Sequence, residues 1–152
     1  MSASFKRFRR FIAREDGVVS IEFAFTAIFM VALAVGAFDF GRYAFEVNRV
    51  ESAARAGTQN AIRSASAAAD TDTVEAAARK DLSGYADEYT ISARRYCVCA
   101  GTEVSCTSNC ADGVYAPMYS EVSVIGQYDF LFSYPSVQDP ARVAAVSRLR
   151  VR

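Results

Sequence analysis

Residues 17–38 read GVVSIEFAFTAIFMVALAVGAF, and the organisation of the whole chain follows from them. From Val18 to Phe38, twenty-one consecutive positions carry a single formal charge, Glu22. At about 1.5 Å per residue such a helix is roughly 31 Å long, which is enough to cross the hydrocarbon core of a bilayer. An acidic side chain costs about 2.5–3.5 kcal/mol at the centre of a span and less near its end, so a carboxylate retained there calls for a purpose.

On the N-terminal side, residues 1–17 hold Lys6, Arg7, Arg9, Arg10 and Arg14 against Glu15 and Asp16. Basic residues flanking a first span stay in the cytoplasm, which sends the chain beyond Phe38 across the membrane. The zero net charge of the 152-residue chain hides this asymmetry. Topology accounts for the basic tail, and no basic patch with interleaved aromatics comes after it, so nucleic acid is not expected as a partner.

Three readings compete for the apolar run. A plain signal anchor leaves Glu22 without a role. A secretory signal peptide would use Ala32-Leu33-Ala34 as its small-x-small cleavage site, yet apolar character continues through Val35, Ala37, Phe38 and Phe40. The third reading is a segment cut at its cytoplasmic edge and then used as an assembly helix. It accounts for the sequence Gly17, four apolar or small residues, Glu22 and the aromatic Phe23.

Beyond Phe38 no proline occurs until Pro117, and Phe40, Tyr43, Ala44, Val47, Val50, Ala54, Gly57 and Ala61 recur at offsets of three and four. They predict one apolar helix face, with Asp39, Arg42, Glu46 and Arg49 on the other and Glu51 paired with Arg55.

The Gly17–Phe23 junction resembles the prepilin peptidase site of Flp type IVb pilins and TadE-like pseudopilins, in which cutting follows the glycine and glutamate lies fifth in the mature chain. The block FDFGRYAFEVNRVESAARAGTQNAIR, residues 38–63, is similar to the segment after the membrane span in TadE-like proteins. Phe23 stands where Flp pilins usually carry tyrosine. The resemblance implies a processing site at Gly17, Val18, Glu22 and Phe23, with the cut between Gly17 and Val18. It implies a minor pilin or pseudopilin that takes part in assembling Tad/Flp surface pili for adhesion and biofilm formation. Its partners would be other pilins and pseudopilins of the Tad system, the prepilin peptidase, the inner-membrane assembly platform and the membrane itself. The location implied is the bacterial inner membrane, crossed once, with the N-terminus cytoplasmic and the C-terminal domain periplasmic, or on the pilus after assembly.

Ala65 to Ala69 runs into Asp70-Thr71-Asp72-Thr73, a helix break. Asp72 with Glu75 predicts a capping box for a short polar surface helix through Leu82, ended by Gly84. The last third changes period. Tyr89, Ile91, Ala93 and Cys97 alternate with Thr90, Ser92, Arg94 and Tyr96. Val122, Val124, Tyr128, Phe130 and Phe132 alternate with Ser123, Gln127 and Asp129, and Val143, Ala145, Leu149 and Val151 close the chain as a third strand. The expected fold is α+β: a long N-terminal transmembrane and amphipathic helix, a short second helix, and a three-stranded antiparallel sheet. The parts are a basic leader at 1–17, a span at 18–38, an amphipathic extension at 39–69 and a periplasmic domain at 70–152.

Four cysteines, Cys97, Cys99, Cys106 and Cys110, fall within fourteen residues of the exported part, where disulfides form. Cys97 and Cys99 share a strand face, which disfavours a bond between them. An antiparallel return favours the nested pairing, Cys97 with Cys110 and Cys99 with Cys106; the crossed pairing stays open. A C-x-C followed by C-x-x-x-C fits a zinc site poorly, so no metal or other cofactor is expected. The chain has no histidine, which removes the commonest general base, and it lacks P-loop, dinucleotide and G-x-S-x-G fingerprints. No catalytic residues and no enzyme are expected. The alternative to the pilin reading is a signal-anchored extracytoplasmic binding module that presents its disulfide loop with Tyr115 and Tyr119.

Overall fold

The computed structural model describes residues 16–135 and 137–151, with the side chains of 16–18 left out. Most of the expected basic leader therefore lies outside the described residues. The chain divides into two units, residues 1–41 and 42–152.

The absence of proline and the frequency of alanine favour one long helix, and α1 runs Asp16–Ala61. Its residues from Val19 to Phe38 are mostly apolar, on every side of the helix, and nearly all exposed, a pattern that a water-soluble surface helix does not show. Past Arg42 the helix becomes two-faced. Val50, Ala53, Ala54, Gly57, Thr58 and Ala61 are buried.

Counting back from Val50 by 3.6 residues at a time reaches Glu46 and Tyr43, which turn partly inward, and then Asp39, which is buried rather than solvent-facing as expected. Phe40, Ala44 and Val47, expected on the core face, are exposed. The inward turn of Glu46 has a local cause, for its carboxylate accepts the Tyr89 hydroxyl and holds Arg49 at 3.4 Å.

The helix does not continue to residue 69. Ser64 adopts an extended backbone and its hydroxyl accepts the Ala67 N–H at 3.1 Å, capping the short α2, Ala65–Ala69. Asp70 then caps α3, Thr71–Asp81, accepting the Thr73 N–H at 3.1 Å and the Thr73 hydroxyl at 2.6 Å. These bonds hold the Asp70 carboxyl below its ordinary range, and they replace the cap expected at Asp72. Glu75, expected to complete a box, instead accepts the Ala93 N–H at 2.9 Å. Nor is α3 a purely surface element, since Val74, Ala78 and the following Leu82 are fully buried.

The sheet has four strands, not three, in the order β2-β1-β3-β4 and antiparallel throughout. They are β1 Thr90–Cys99, β2 Thr102–Val104, β3 Met118–Tyr128 and β4 Ala141–Arg150. The extra strand is a three-residue return inside the cysteine segment, too short for alternation to reveal. It comes after a two-residue turn in which Ala100 and Gly101 both take positive φ, 49° and 85°, the conformation that matches the twist of paired strands. Strand β3 ends at Tyr128, so Phe130 and Phe132 lie beyond it in the connection to β4.

The inner face of the sheet presents Ile91, Val122, Val124, Tyr128 and Val143 to the helices, and one core joins them to Val50, Ala54, Val74, Ala78 and Leu82. Tyr43 of α1 meets Tyr128 at 5.6 Å between ring centroids, while Gly57 faces Val122. Between residues 43 and 57 the helix therefore runs antiparallel along β3. A methyl group at Gly57 would lie 3.1 Å from both γ-carbons of Val122 and 3.2 Å from the Val74 carbonyl. Small residues at 53, 54 and 57 are what let the helix approach the sheet this closely.

Candidate functional site

Three regions carry the chemistry that the sequence singles out: the apolar half of α1, its small-residue half, and the cystine hairpin. Gly17 and Val18 lie in the first turn of α1, and Glu22 and Phe23 in the next. Val18 and Glu22 are four residues apart, one above the other on the same helix face. Glu22 is exposed, as is Phe23 at 71%, and the Thr26 hydroxyl donates back to the Glu22 carbonyl at 2.9 Å. Among the described residues α1 is the one helix long and apolar enough to cross a membrane, with a mean hydropathy of 2.2 over its best 18-residue window, none of it buried. Such a helix suits a single-pass membrane anchor.

The second half of α1 does different work. Thr58 shares a 2.8 Å hydrogen bond with Ser147 of β4 and also returns its hydroxyl to the Arg55 carbonyl at 3.0 Å. With Gly57 against Val122, this makes the Ala-Ala-Arg-x-Gly-Thr stretch the seat of the helix on the sheet. The geometry gives residues 17–59 two linked tasks, an exposed apolar half and a half fitted to the domain. Residues 17–59 also match a family model, described as TadE-like protein. Over those residues the chain is similar to TadE-like proteins. No curated protein and no solved structure matches the chain. The match over residues 17–59 accords with a protein of a Tad pilus system.

At the other end of the sheet, the cystines are crossed: Cys97 bonds Cys106 and Cys99 bonds Cys110, with Cα separations of 5.1 and 5.5 Å. This corrects the nested pairing of Cys97 with Cys110 and Cys99 with Cys106. The reason lies in the turn. Because the chain reverses immediately after Cys99, the returning strand already stands opposite Cys97 at Val104, and Cys106 arrives two residues later beside Cys97. Cys99 is left for the next pass, which brings Cys110. With all four sulfurs in cystines, no thiolate is left there for zinc, and the described residues hold no other gathering of metal-ligand side chains. Val114 and Tyr115 beside the hairpin are 61% and 74% exposed, whereas Tyr119 stacks on Tyr96 across the sheet at 5.7 Å.

Two features escape a reading of the sequence. On the outer sheet face, Glu121 of β3 accepts from Arg94 of β1 at 2.8 Å and from Arg148 of β4, and Arg94 reaches Glu103 of β2 at 3.4 Å, linking all four strands. The Arg94 guanidinium, with Arg148 adding to it, holds the Glu121 carboxyl below its ordinary value against some desolvation. On the inner face, Gly126 leaves space for the Tyr89 ring. A glycine within an alternating strand is the available signal for such a close approach.

Proposed function

We propose that this TadE-like chain is a minor pilin or pseudopilin, cut by a prepilin peptidase between Gly17 and Val18 and used in assembling Tad/Flp surface pili that serve adhesion and biofilm formation. The observation that carries this reading is Glu22, the one carboxylate in an apolar helical stretch that is exposed on every side. Cleavage frees an α-amino cation at Val18. In a bundle of such helices, Glu22 of a neighbouring subunit neutralises that cation, and the low dielectric strengthens the attraction while punishing either charge left alone. The pair thereby fixes the axial register of one helix against the next. The leader stays cytoplasmic, the span sits in the inner membrane, and the disulfide-bonded domain stands on the periplasmic side.

The test is N-terminal sequencing of the chain from cells with and without the peptidase. The expected start is Val18 only where the peptidase is present; a start at Val35, or no cleavage in either strain, overturns the proposal. Glu22→Ala should leave the protein folded and inserted but lost from complexes with its pilin partners. A second reading, an anchored extracytoplasmic binding module, draws on the exposure of Val114 and Tyr115 beside the cystine hairpin. An uncut chain found outside pilin complexes, with a ligand whose capture is lost in Tyr115→Ala, would favour it.

A further inference from the structure

The segment after β3 departs from the alternation that its sequence suggests. Asp129 and the three aromatic or aliphatic residues after it leave the sheet, and the Asp139 carboxylate accepts the Phe130 N–H at 3.3 Å, drawing the two ends of the connection together. Phe130 turns inward, stacked on Tyr43 at 5.7 Å and edge-on to Tyr128 at 5.1 Å and to Tyr134 at 5.7 Å. Leu131 and Phe132 are consequently presented outward, 55% and 53% exposed.

The place where this happens is informative. Tyr43 lies five residues beyond Phe38, the last residue of the apolar run, a rise of about 7.5 Å along α1. The interfacial zone of a bilayer, between hydrocarbon and water, occupies several ångströms on each side, roughly the depth at which Tyr43 would stand. Phe45 adds an independent mark. It is 69% exposed, and at two residues' remove from Tyr43 it points about 200° round the helix, away from the sheet. A protein partner covers one side of a helix, whereas a lipid interface surrounds it. Exposed aromatic rings on opposite sides at one level, Phe45 and Phe132, with Arg42 beside them over the Tyr128 ring at 5.7 Å, fit the second.

We infer that residues 130–134, together with Phe45, form a collar that seats in the headgroup region of the bilayer while the chain is membrane-inserted. The inference rests on the reading of residues 18–38 as a span. The collar adds a second attachment to the membrane, one that the chain must withdraw from lipid if it is to leave the bilayer.

The chain contains no tryptophan, so single-tryptophan reporters are clean. The full chain, as Phe132→Trp, Phe45→Trp, Phe29→Trp or Tyr115→Trp, is reconstituted in phosphatidylcholine–phosphatidylglycerol vesicles. Lipids brominated near the headgroup end or near the methyl end of the acyl chain are then introduced. The collar predicts blue-shifted emission for Phe132→Trp and Phe45→Trp, most of it lost with the shallow bromines and little with the deep ones. Phe29→Trp should be quenched best by the deep bromines, and Tyr115→Trp by neither. Unshifted, unquenched emission from Phe132→Trp and Phe45→Trp beside a quenched Phe29→Trp overturns the collar and leaves the span intact. An unquenched Phe29→Trp removes the span and the collar together. A blue shift in Phe132→Trp without bromine quenching means that protein, a second copy or a partner, covers the ring, and this also overturns the lipid assignment.

Discussion

Gly126→Ala asks whether the fit between α1, Tyr89 and β3 is as tight as it looks. A methyl group at 126 would stand 2.4 and 2.5 Å from Cδ1 and Cε1 of Tyr89, against the 3.5–4.0 Å typical of carbon contacts, an overlap of about 1 Å. The ring is 8% exposed and its hydroxyl is held by Glu46, so it has little room to yield. If ring and backbone shift together, overpacking costs about 1–3 kcal/mol. If the ring is expelled, the loss is larger: about 1.5–3 kcal/mol of burial and a comparable amount for a hydrogen bond to a charged acceptor. The first route is cheaper. Against it stands a gain of about 0.4–1 kcal/mol from restricting the unfolded chain. The net result is a destabilisation of about 1–2 kcal/mol. The assay is urea unfolding of the full chain in mild detergent with its disulfides intact, monitored by near-ultraviolet circular dichroism of the tyrosines. In a Tyr89→Leu background the clash is absent, so Gly126→Ala there should be neutral or slightly stabilising, a coupling of about 1–3 kcal/mol between the sites. An equal loss in both backgrounds would refute the reasoning, since the cost would then arise from the strand rather than the ring.

Stability should also fall in acid through Glu121. Its folded-state pKa lies below the ordinary 4.5, so the stabilisation from Arg94 and Arg148 is present above that value and lost as pH drops through the folded one. Glu121→Gln should flatten the acid limb of a stability–pH curve below about pH 4.5 and leave the neutral shape unchanged. Deleting either bridge, as Cys97→Ala with Cys106→Ala or Cys99→Ala with Cys110→Ala, opens a loop with a sequence separation of 9 or 11. Each deletion should cost about 2–3 kcal/mol in the same unfolding assay. Thiol counts on peptides cut between the bridges would show the crossed pairing directly. Ala100→Gly relieves a side chain at positive φ and should raise stability by about 0.5–1 kcal/mol, read as a higher urea midpoint at unchanged slope.

The features legible in the sequence are those with a period or a run. The apolar stretch after Gly17, with Glu22 as its single charge, announces a helix that cannot be a soluble surface element, and Ile91, Val122, Val124 and Val143 announce the inner sheet face by alternation. The hidden features depend on where turns fall and on which partner a polar group finds. Asp72 with Glu75 reads as a capping box, but the helix starts two residues earlier, where Asp70 finds the Thr73 N–H, and Glu75 is taken by the Ala93 N–H. The cystine pairing hinges on the reversal at Ala100-Gly101, one residue after Cys99; a later reversal would nest the pairs. Phe130 and Phe132 continue the strand's alternation on paper, but the chain leaves the sheet where Phe130 can join Tyr43. Glu46 reads as a solvent-facing acid until the Tyr89 hydroxyl supplies its partner.

The antiparallel course of α1 along β3 has a mechanical meaning. Tension entering the domain along the helix axis at Tyr43 would load the sheet in shear, spread over the contacts from Tyr43 at Tyr128 to Gly57 at Val122, rather than peeling them apart one after another. The crossed cystines lie off that load path, beyond Met118, where they keep the hairpin shut whatever the helix bears. Within the domain, load taken up at Tyr43 therefore leaves the cystine hairpin untouched.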